Sequence, residues 1–87
     1  MTNEEAIQFA EDNYDYGWSV ARAMRGIGGN VKYLGTCMWQ RRDLYVVSEK
    51  AHGATFAEAL FNAVNRMLIE RSNDENGRPR TFEKASS

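Results

Sequence analysis

The chain has 87 residues, a net charge of −1 and 43% hydrophobic residues, which predicts one small globular domain rather than a disordered segment. The near-neutral charge argues against a general nucleic-acid binder, because such proteins carry a basic surplus. One cysteine excludes an internal disulfide, and together with one histidine it falls short of the usual zinc sites. We expect no cofactor, and we expect a cytoplasmic protein, because neither a membrane-spanning run nor a signal peptide is recognisable.

The first predicted element is a helix from about Asn3 to Asn13. Thr2 and Glu5 have the spacing of a capping box, in which each side chain accepts a hydrogen bond from the other residue's backbone N–H. Carboxylates accumulate in and just after this helix without a single Lys or Arg: Glu4, Glu5, Glu11, Asp12 and Asp15. We therefore expect an acidic helix side that faces water or a partner protein.

The stretch Trp18–Ile27 fits two structures. Alternation of Trp18 and Val20 with smaller residues is typical of a strand, whereas residues 21–25, with sequence A-R-A-M-R, favour a helix. We predict a strand, because residues 26–30, with sequence G-I-G-G-N, have the composition of a hairpin connection.

Two further strands are predicted after this connection. Residues 31–40 alternate, so that one face carries Val31, Tyr33, Cys37 and Trp39 and the other Lys32, Leu34, Thr36 and Met38. Gly35 in the middle predicts a bulge or the close approach of another backbone. A polar turn at 40–43 leads to a strand at 44–48 that fades after it. We expect one sheet face to lie under the helices and the other to be covered or to bind a partner.

The segment Thr55–Ser72 is predicted to form the helix around which the domain folds. Thr55 and Glu58 have the spacing of a second capping box, and Gly53 before them lets the chain enter at an unusual angle. At about 100° per residue, the apolar residues fall on an arc of roughly 160°. They are Phe56, Ala57, Leu60, Phe61, Ala63, Val64, Met67 and Leu68. Such a wide arc fits the face of a sheet, and Ile69, outside it, is expected to pack under the tail or to mark a partner surface.

Together these elements predict an α+β fold of order α-β-β-β-α, in which the C-terminal helix packs on a three-stranded antiparallel sheet. We expect residues 1–72 to form the single domain. Residues 73–87 contain the one proline, Pro79, and show no periodicity, so they are expected to form a mobile C-terminal tail.

Catalysis is not expected from this sequence. Cys37 and His52 are residue types that combine as nucleophile and base, but Cys37 lies in an apolar strand, where a thiol packs as a small hydrophobe. The glycines at 26–29 lack the Lys-Ser/Thr pair of a phosphate-binding loop. The acidic residues of the first helix are typical of a solvated helix face and not of a general acid in an apolar pocket.

The predicted order of elements resembles that of double-stranded-RNA-binding domains, which implies RNA binding. The start of the last helix departs from that family, because residues 53–58 contain no lysine where the family has a Lys-rich phosphate grip. The hairpin from Gly17-Trp18 to Trp39, followed by a helix that opens with residues 54–60, resembles small phage-encoded proteins of the "ABA sandwich" kind. That helix opening is also similar to the one in HicB-type antitoxins. These resemblances imply an accessory protein of a phage or mobile element.

We expect the chain to be a non-catalytic protein-binding module that inhibits a host or defence complex, as anti-CRISPR proteins do. Aromatic and arginine side chains are enriched at interface hot spots, and an acidic helix fits a basic groove built for nucleic acid. The candidate partner-binding residues are Glu4, Glu11, Asp12, Tyr14, Asp15, Tyr16, Arg41, Arg42 and Tyr45.

Three alternatives remain open at the level of sequence. Nucleic-acid binding is one, since Arg41 and Arg42 lie close to Tyr45, which is suited to stacking on bases. The second is an antitoxin or other regulatory protein. The third is a homodimer formed through the open sheet face or the first helix.

Overall fold

The computed structural model describes residues 1–13, 16–23 and 32–78. Its elements are α1 (Asn3–Asp12), β1 (Gly17–Arg22), β2 (Tyr33–Gln40), β3 (Val46–Gly53) and α2 (Phe56–Glu75). The fold is α+β with the predicted order, and the strands form one antiparallel sheet in the order β1-β2-β3. The strand interpretation of residues 18–22 is confirmed, and the helical alternative is wrong there. The predicted connection at 26–30 lies outside the described residues.

α1 begins where the capping box predicts. The Thr2 hydroxyl accepts the N–H of Glu5 at 3.1 Å, and the Glu5 carboxylate accepts the N–H of Thr2 at 2.7 Å. Ala6 and Ala10 lie one turn apart on the side of α1 that faces the core, and both are fully buried. Their small side chains allow α1 to approach the rest of the core closely.

α2 begins as predicted but continues beyond its expected end. The Thr55 hydroxyl caps the helix by accepting the N–H of Glu58 at 3.1 Å. Residues 73–75, which the sequence assigned to a mobile tail, are helical, because Asp74 accepts the backbone N–H of Arg42 at 3.0 Å and fixes the last turn against the sheet. The tail from residue 79 onward lies outside the described residues. Within the described part of the chain, neither helix is long and apolar enough to cross a membrane.

The two faces of the sheet differ, as the alternation in β2 predicts. Gly35, Cys37 and Trp39 are buried on the inner face, which the helices cover. The outer face carries exposed residues from all three strands: Ser19, Ala21, Gln40, Val46, Ser48, Lys50 and His52. β3 begins two residues later than predicted and continues to Gly53 instead of fading at residue 49.

Two glycines let the backbone of α2 touch the sheet directly. A Cβ at Gly35 would lie 2.6 Å from the carbonyl carbon of Ala59, and one at Gly53 would lie 2.8 Å from the Ala59 Cα. The close-approach interpretation of Gly35 is therefore confirmed, whereas the register through Gly35 is continuous and contains no bulge. The predicted backbone role of Gly53 is wrong, because its φ is not positive and packing accounts for the glycine.

The apolar arc of α2 forms the centre of the core, with Leu60, Val64 and Met67 fully buried. Trp39 is buried as expected. Trp18 and Phe56 are half-buried and meet edge to face with ring centroids 6.0 Å apart, at the side of the core under β1. This arrangement places a continuous apolar layer between the sheet and the helices.

Two buried carboxylates were not predicted. Glu49 and Glu70 are each at least 98% buried, although charged residues are seldom enclosed without partners. The indole Nε1 of Trp39 donates to Oε2 of Glu49 at 2.9 Å, and Nδ2 of Asn73 donates to Oε1 of Glu70 at 3.2 Å. Hydrogen bonds of this kind offset part of the cost of removing a carboxylate from water.

Candidate protein-binding surface

The turn between β2 and β3, residues 41–45, is named the hairpin tip and has a defined backbone. The N–H of Leu44 donates to the carbonyl oxygen of Arg41 at 2.9 Å, and the N–H of Arg41 donates to the carbonyl oxygen of Tyr45 at 2.8 Å. This is the three-residue hairpin loop in which a β-turn is followed by a residue with positive φ. Leu44 occupies that last position, with φ of 74°.

Leu44 is unusual in both conformation and environment. Among the described residues other than glycine, it alone has a positive φ. That conformation costs a leucine about 1–2 kcal/mol, because its Cβ crowds the following carbonyl oxygen, and glycine usually takes this position. The side chain is 73% exposed, so contacts within the domain do not offset the cost. A strained residue that folding does not require is a reason to look for a function.

Three further exposed side chains lie at the same end of the sheet. Tyr45 is 72% exposed, Tyr16 59% and Val46 50%. Gln40 connects Tyr16 to Leu44, because its Oε1 accepts a hydrogen bond from the Tyr16 hydroxyl and its Nε2 donates to the carbonyl oxygen of Leu44 at 3.1 Å. We name Tyr16, Leu44, Tyr45 and Val46 the tip patch.

Charged side chains surround the tip patch. Arg41 forms a salt bridge with Asp43 at 3.2 Å, and Nε of Arg42 lies 3.8 Å from the carboxylate of Asp74. Both pairs are partly exposed, so they contribute little to stability. They place both charge signs beside the exposed apolar side chains of the tip, a mixture that is usual at the edge of a protein–protein interface.

The acidic residues of α1 form a second surface, separate from the tip patch. Glu4, Glu5, Glu11 and Asp12 are exposed on the side of α1 away from its buried alanines, and we name them the acidic face. The pKa of the Glu5 carboxyl lies below its usual value, because the carboxylate accepts the backbone N–H of Thr2 and because the Thr2 side chain is also hydrogen-bonded to Glu5. Glu5 therefore keeps its negative charge to lower pH than an ordinary glutamate does.

The structure thus divides the predicted partner-binding residues into two groups. Tyr16, Arg41, Arg42 and Tyr45 come together at the hairpin tip, and Glu4, Glu11 and Asp12 lie on α1. Tyr14 and Asp15 lie outside the described residues. The sequence did not indicate Leu44 and Val46, which the abundance of β-forming residues had assigned to a strand. The polar turn at residues 40–43, directly before Leu44, was the one signal in the sequence that Leu44 belongs to the loop.

The two residue types considered for catalysis are not brought together. Cys37 is buried on the inner face of the sheet, where its Sγ lies 3.3 Å from Sδ of Met67. His52 pairs with Leu34, three residues before Cys37 along β2, and is exposed on the outer face. Because residues three apart in a strand point to opposite faces, the two side chains cannot meet across this sheet.

The start of α2 is unsuited to gripping phosphate. The Thr55 hydroxyl already accepts the N–H of Glu58, and the exposed Glu58 carboxylate places a negative charge in the first turn, where a bound anion would lie.

The chain matches no known family model, and comparisons with curated proteins and with solved structures find no match. Function is therefore inferred from the tip patch and the acidic face themselves.

Proposed function

We propose that this protein is a non-catalytic binding module that grips a partner protein with the tip patch. The observation that carries the proposal is Leu44, whose positive φ lowers the stability of the isolated domain and whose 73% exposure leaves that cost without compensation from burial. Burial of a leucine side chain contributes about 1.5–3 kcal/mol, which exceeds the conformational cost once a partner covers it. The strain therefore presents an apolar anchor at the end of a rigid hairpin.

The residues around Leu44 suit such an anchor. Tyr45 offers a large apolar ring with a hydroxyl that can still reach water, a combination enriched at interface centres. The salt-bridged Arg41 and Asp43 supply the polar rim that excludes water around the centre. Because β2 and β3 are packed under α2, the tip projects from a fixed base and loses little entropy on binding.

For the kind of partner, the acidic face supports an inhibitor of a host or defence complex that handles nucleic acid. Four exposed carboxylates on a helix that contains no lysine or arginine offer the charge pattern that a basic nucleic-acid groove attracts. The resemblance to small phage-encoded accessory proteins favours the same class, with the host cytoplasm as its compartment. Binding through the tip patch does not depend on this assignment.

Replacing Leu44 tests the proposal, because the folded domain and the complex respond in opposite directions. We expect Leu44→Gly to raise the free energy of unfolding by about 1 kcal/mol, since glycine removes the backbone strain. We expect the same variant to weaken partner binding by about 2 kcal/mol, roughly 30-fold in Kd, because the anchor is lost. Urea unfolding measures the first effect and calorimetric titration the second.

The partner itself is found by comparing two captures. Wild-type protein and Leu44→Gly are used as baits in extract of the native host, and mass spectrometry identifies proteins retained by the wild type alone. Ile69→Ala changes another exposed apolar residue, 47% exposed on α2, so a protein that is lost with Leu44→Gly but retained with Ile69→Ala binds the tip patch and not that surface. Equal binding of Leu44→Gly and wild type to the purified partner contradicts the proposal.

Nucleic-acid binding is the second candidate. The element order and the position of Arg41 and Arg42 beside Tyr45 support it. Both arginines have a carboxylate within 4 Å, which reduces the positive field available to phosphates. A band shift at low salt that fades as salt rises would favour this candidate, and the absence of a shift at low salt would remove it.

A further inference from the structure

The tip patch is too small to form a stable interface alone. Its four side chains are between 50% and 73% exposed, and a large side chain buries roughly 150–250 Å², so together they offer roughly 500 Å² at most. A stable complex buries about 800 Å² on each partner. The surface that a partner covers therefore extends beyond the four residues of the tip patch.

The outer face of the sheet continues directly from the tip patch. Val46 pairs with Gln40 in the row of the ladder nearest the tip and is exposed on that face. In the next row, the side chain of Met38 lies across Gly17, because a Cβ at Gly17 would be 2.9 Å from its Cε. Residues from all three strands are exposed along the rest of the face, which leaves it open to a partner: Ser19, Ala21, Ser48, Lys50 and His52.

Every titratable side chain on the outer face, among the described residues, is basic. Lys50 and His52 alternate along β3, and both are exposed. The N–H of Ala23 donates to the carbonyl oxygen of Lys32, which continues the β1–β2 ladder by one step and places the exposed Lys32 on the same face as Leu34. We name Lys32, Lys50 and His52 the basic end. The other described residues of this face are neutral: Gly17, Ser19, Ala21, Ala23, Leu34, Thr36, Met38, Gln40, Val46 and Ser48.

Side chains of α2 hold the strand that carries most of the basic end. Nδ2 of Asn62 donates to the carbonyl oxygen of His52 at 3.1 Å, and Nη1 of Arg66 donates to the carbonyl oxygen of Lys50. These bonds use backbone oxygens only, and the side chains of Lys50 and His52 stay exposed. A backbone that is already fixed loses little entropy when a partner binds.

We propose that the outer face and the tip patch form one interface, and that the partner protein presents an acidic surface to the basic end. This inference rests on the proposed function, because the tip patch anchors the same partner. Lys50 and His52 follow Val46 by four and six residues, and a rise of about 3.4 Å per residue places them ~14 and ~20 Å from it. The partner therefore carries carboxylates at that distance from the apolar site that receives the tip patch.

Nucleic acid and a second copy fit this surface less well. Bases stack on aromatic rings, whereas the central strand offers Leu34, Thr36 and Met38 between the two ends of the face. A second copy placed face to face brings no carboxylate from its own outer face to the lysines. Its acidic face would meet them in a head-to-tail contact, which repeats into rings or filaments instead of ending at a pair.

A library of random dodecapeptides displayed on phage is the probe, because it does not presuppose a sequence. The library is selected on the immobilised protein at low salt. We expect the selected peptides to be enriched in Asp and Glu, with an apolar or aromatic residue about four to six positions away, since an extended peptide rises by about 3.4 Å per residue. Synthetic copies of these peptides are expected to bind more weakly as salt rises.

Two charge reversals of equal size locate the binding. We expect Lys50→Glu to weaken binding of the selected acidic peptides about tenfold or more, because a carboxylate replaces the ammonium group that attracts them. Arg78→Glu makes the same charge change at an exposed residue beyond the end of α2 and is the control, with affinity kept within about twofold. Near-ultraviolet circular dichroism of the tryptophans verifies that both variants are folded before they are titrated.

The outcomes separate this inference from the proposed function. Peptides that lose affinity for Leu44→Gly but not for Lys50→Glu leave the tip patch as the site and overturn the assignment of the outer face. Peptides weakened by Lys50→Glu alone keep the assignment of the basic end and contradict the tip patch as its anchor. The assignment is also overturned when the selected peptides are basic or uncharged, when no peptide is enriched, or when an oligo(dT) strand of about 20 nucleotides binds more tightly than they do.

Discussion

Gly35 and Leu44 show opposite relations between side chain and backbone. Gly35 lacks a side chain because the backbone of α2 fills the space that one would need. Leu44 keeps a large side chain where the backbone conformation favours glycine. The first choice serves stability, and the second lowers it. Residues that lower stability without a role in packing are candidates for binding, which is why Leu44 carries the functional proposal.

Gly35→Ala is expected to lower the free energy of unfolding by about 3 kcal/mol or more, because a Cβ there meets backbone atoms of Ala59 that no rotamer change can move. Urea unfolding measures the loss. Gly77→Ala is the comparison, since nothing lies near its Cβ and its φ of 69° alone costs about 1 kcal/mol. A Gly35→Ala variant as stable as the wild type would show that helix and sheet do not approach as described.

α1 is an element that depends on its surroundings. Ten residues are too few for a stable isolated helix, so the capping box and the burial of Ala6 and Ala10 must hold it. At its C-terminal end, Nη1 of Arg71 donates to the carbonyl oxygen of Asn13 at 2.8 Å. The acidic face is therefore positioned by the buried side of the helix and by the contact of Arg71 at its C-terminal end, while its own charges remain in water.

The capping box makes the stability of α1 depend on pH. The pKa of Glu5 is lower in the folded protein because of its hydrogen bonds with Thr2. A depressed folded-state pKa adds stability above the unfolded-state pKa, and this contribution is lost as pH falls through the folded-state value. We expect α1 to fray in acid over that range, and we expect Thr2→Ala to raise the Glu5 titration midpoint seen by NMR. Thr55→Ala, which removes the same hydroxyl from α2, should leave that midpoint unchanged.

α2 is the helix on which the other described elements pack. It packs on all three strands and on α1, and its last turn reaches the hairpin tip through Asp74. The sheet and α1 both bury their apolar residues against it. The domain is consequently one folding unit, in which the tip patch and the acidic face share a single rigid support.

We expect this unit to unfold in one cooperative step. Trp39 reports burial at the centre of the sheet and far-ultraviolet circular dichroism reports the helices, so their urea transitions should coincide. A fluorescence midpoint that precedes the loss of helix would contradict the prediction, since it would mean that the sheet can separate from α2. Phe56→Tyr, a mild change at the half-buried side of the core, is expected to shift both transitions together.

Periodicity predicted the elements because α1, β2 and α2 each bury one regular face. It missed features that depend on residues distant in sequence. From the sequence, Glu49 would be assigned as exposed, but in the fold it is buried and accepts a hydrogen bond from the indole of Trp39. The end of α2 depends on a hydrogen bond to Arg42, in a turn 32 positions earlier. Leu44 begins a segment rich in β-forming residues, which predicted a strand, but the hydrogen bonds across the turn give it a positive φ. Of the candidate surface, the sequence indicated the charged and aromatic members and missed Leu44 and Val46.

Asn62 and Arg66 also determine how far assemblies of this protein can extend. Open-ended polymers such as fibrils require each molecule to offer two pairing edges, one for the preceding subunit and one for the next. With the carbonyls of Lys50 and His52 already bonded to α2, this part of the β3 edge is closed to a further strand. Extension of the sheet on that side is disfavoured, so Asn62 and Arg66 act against aggregation as well as holding the helix on the sheet.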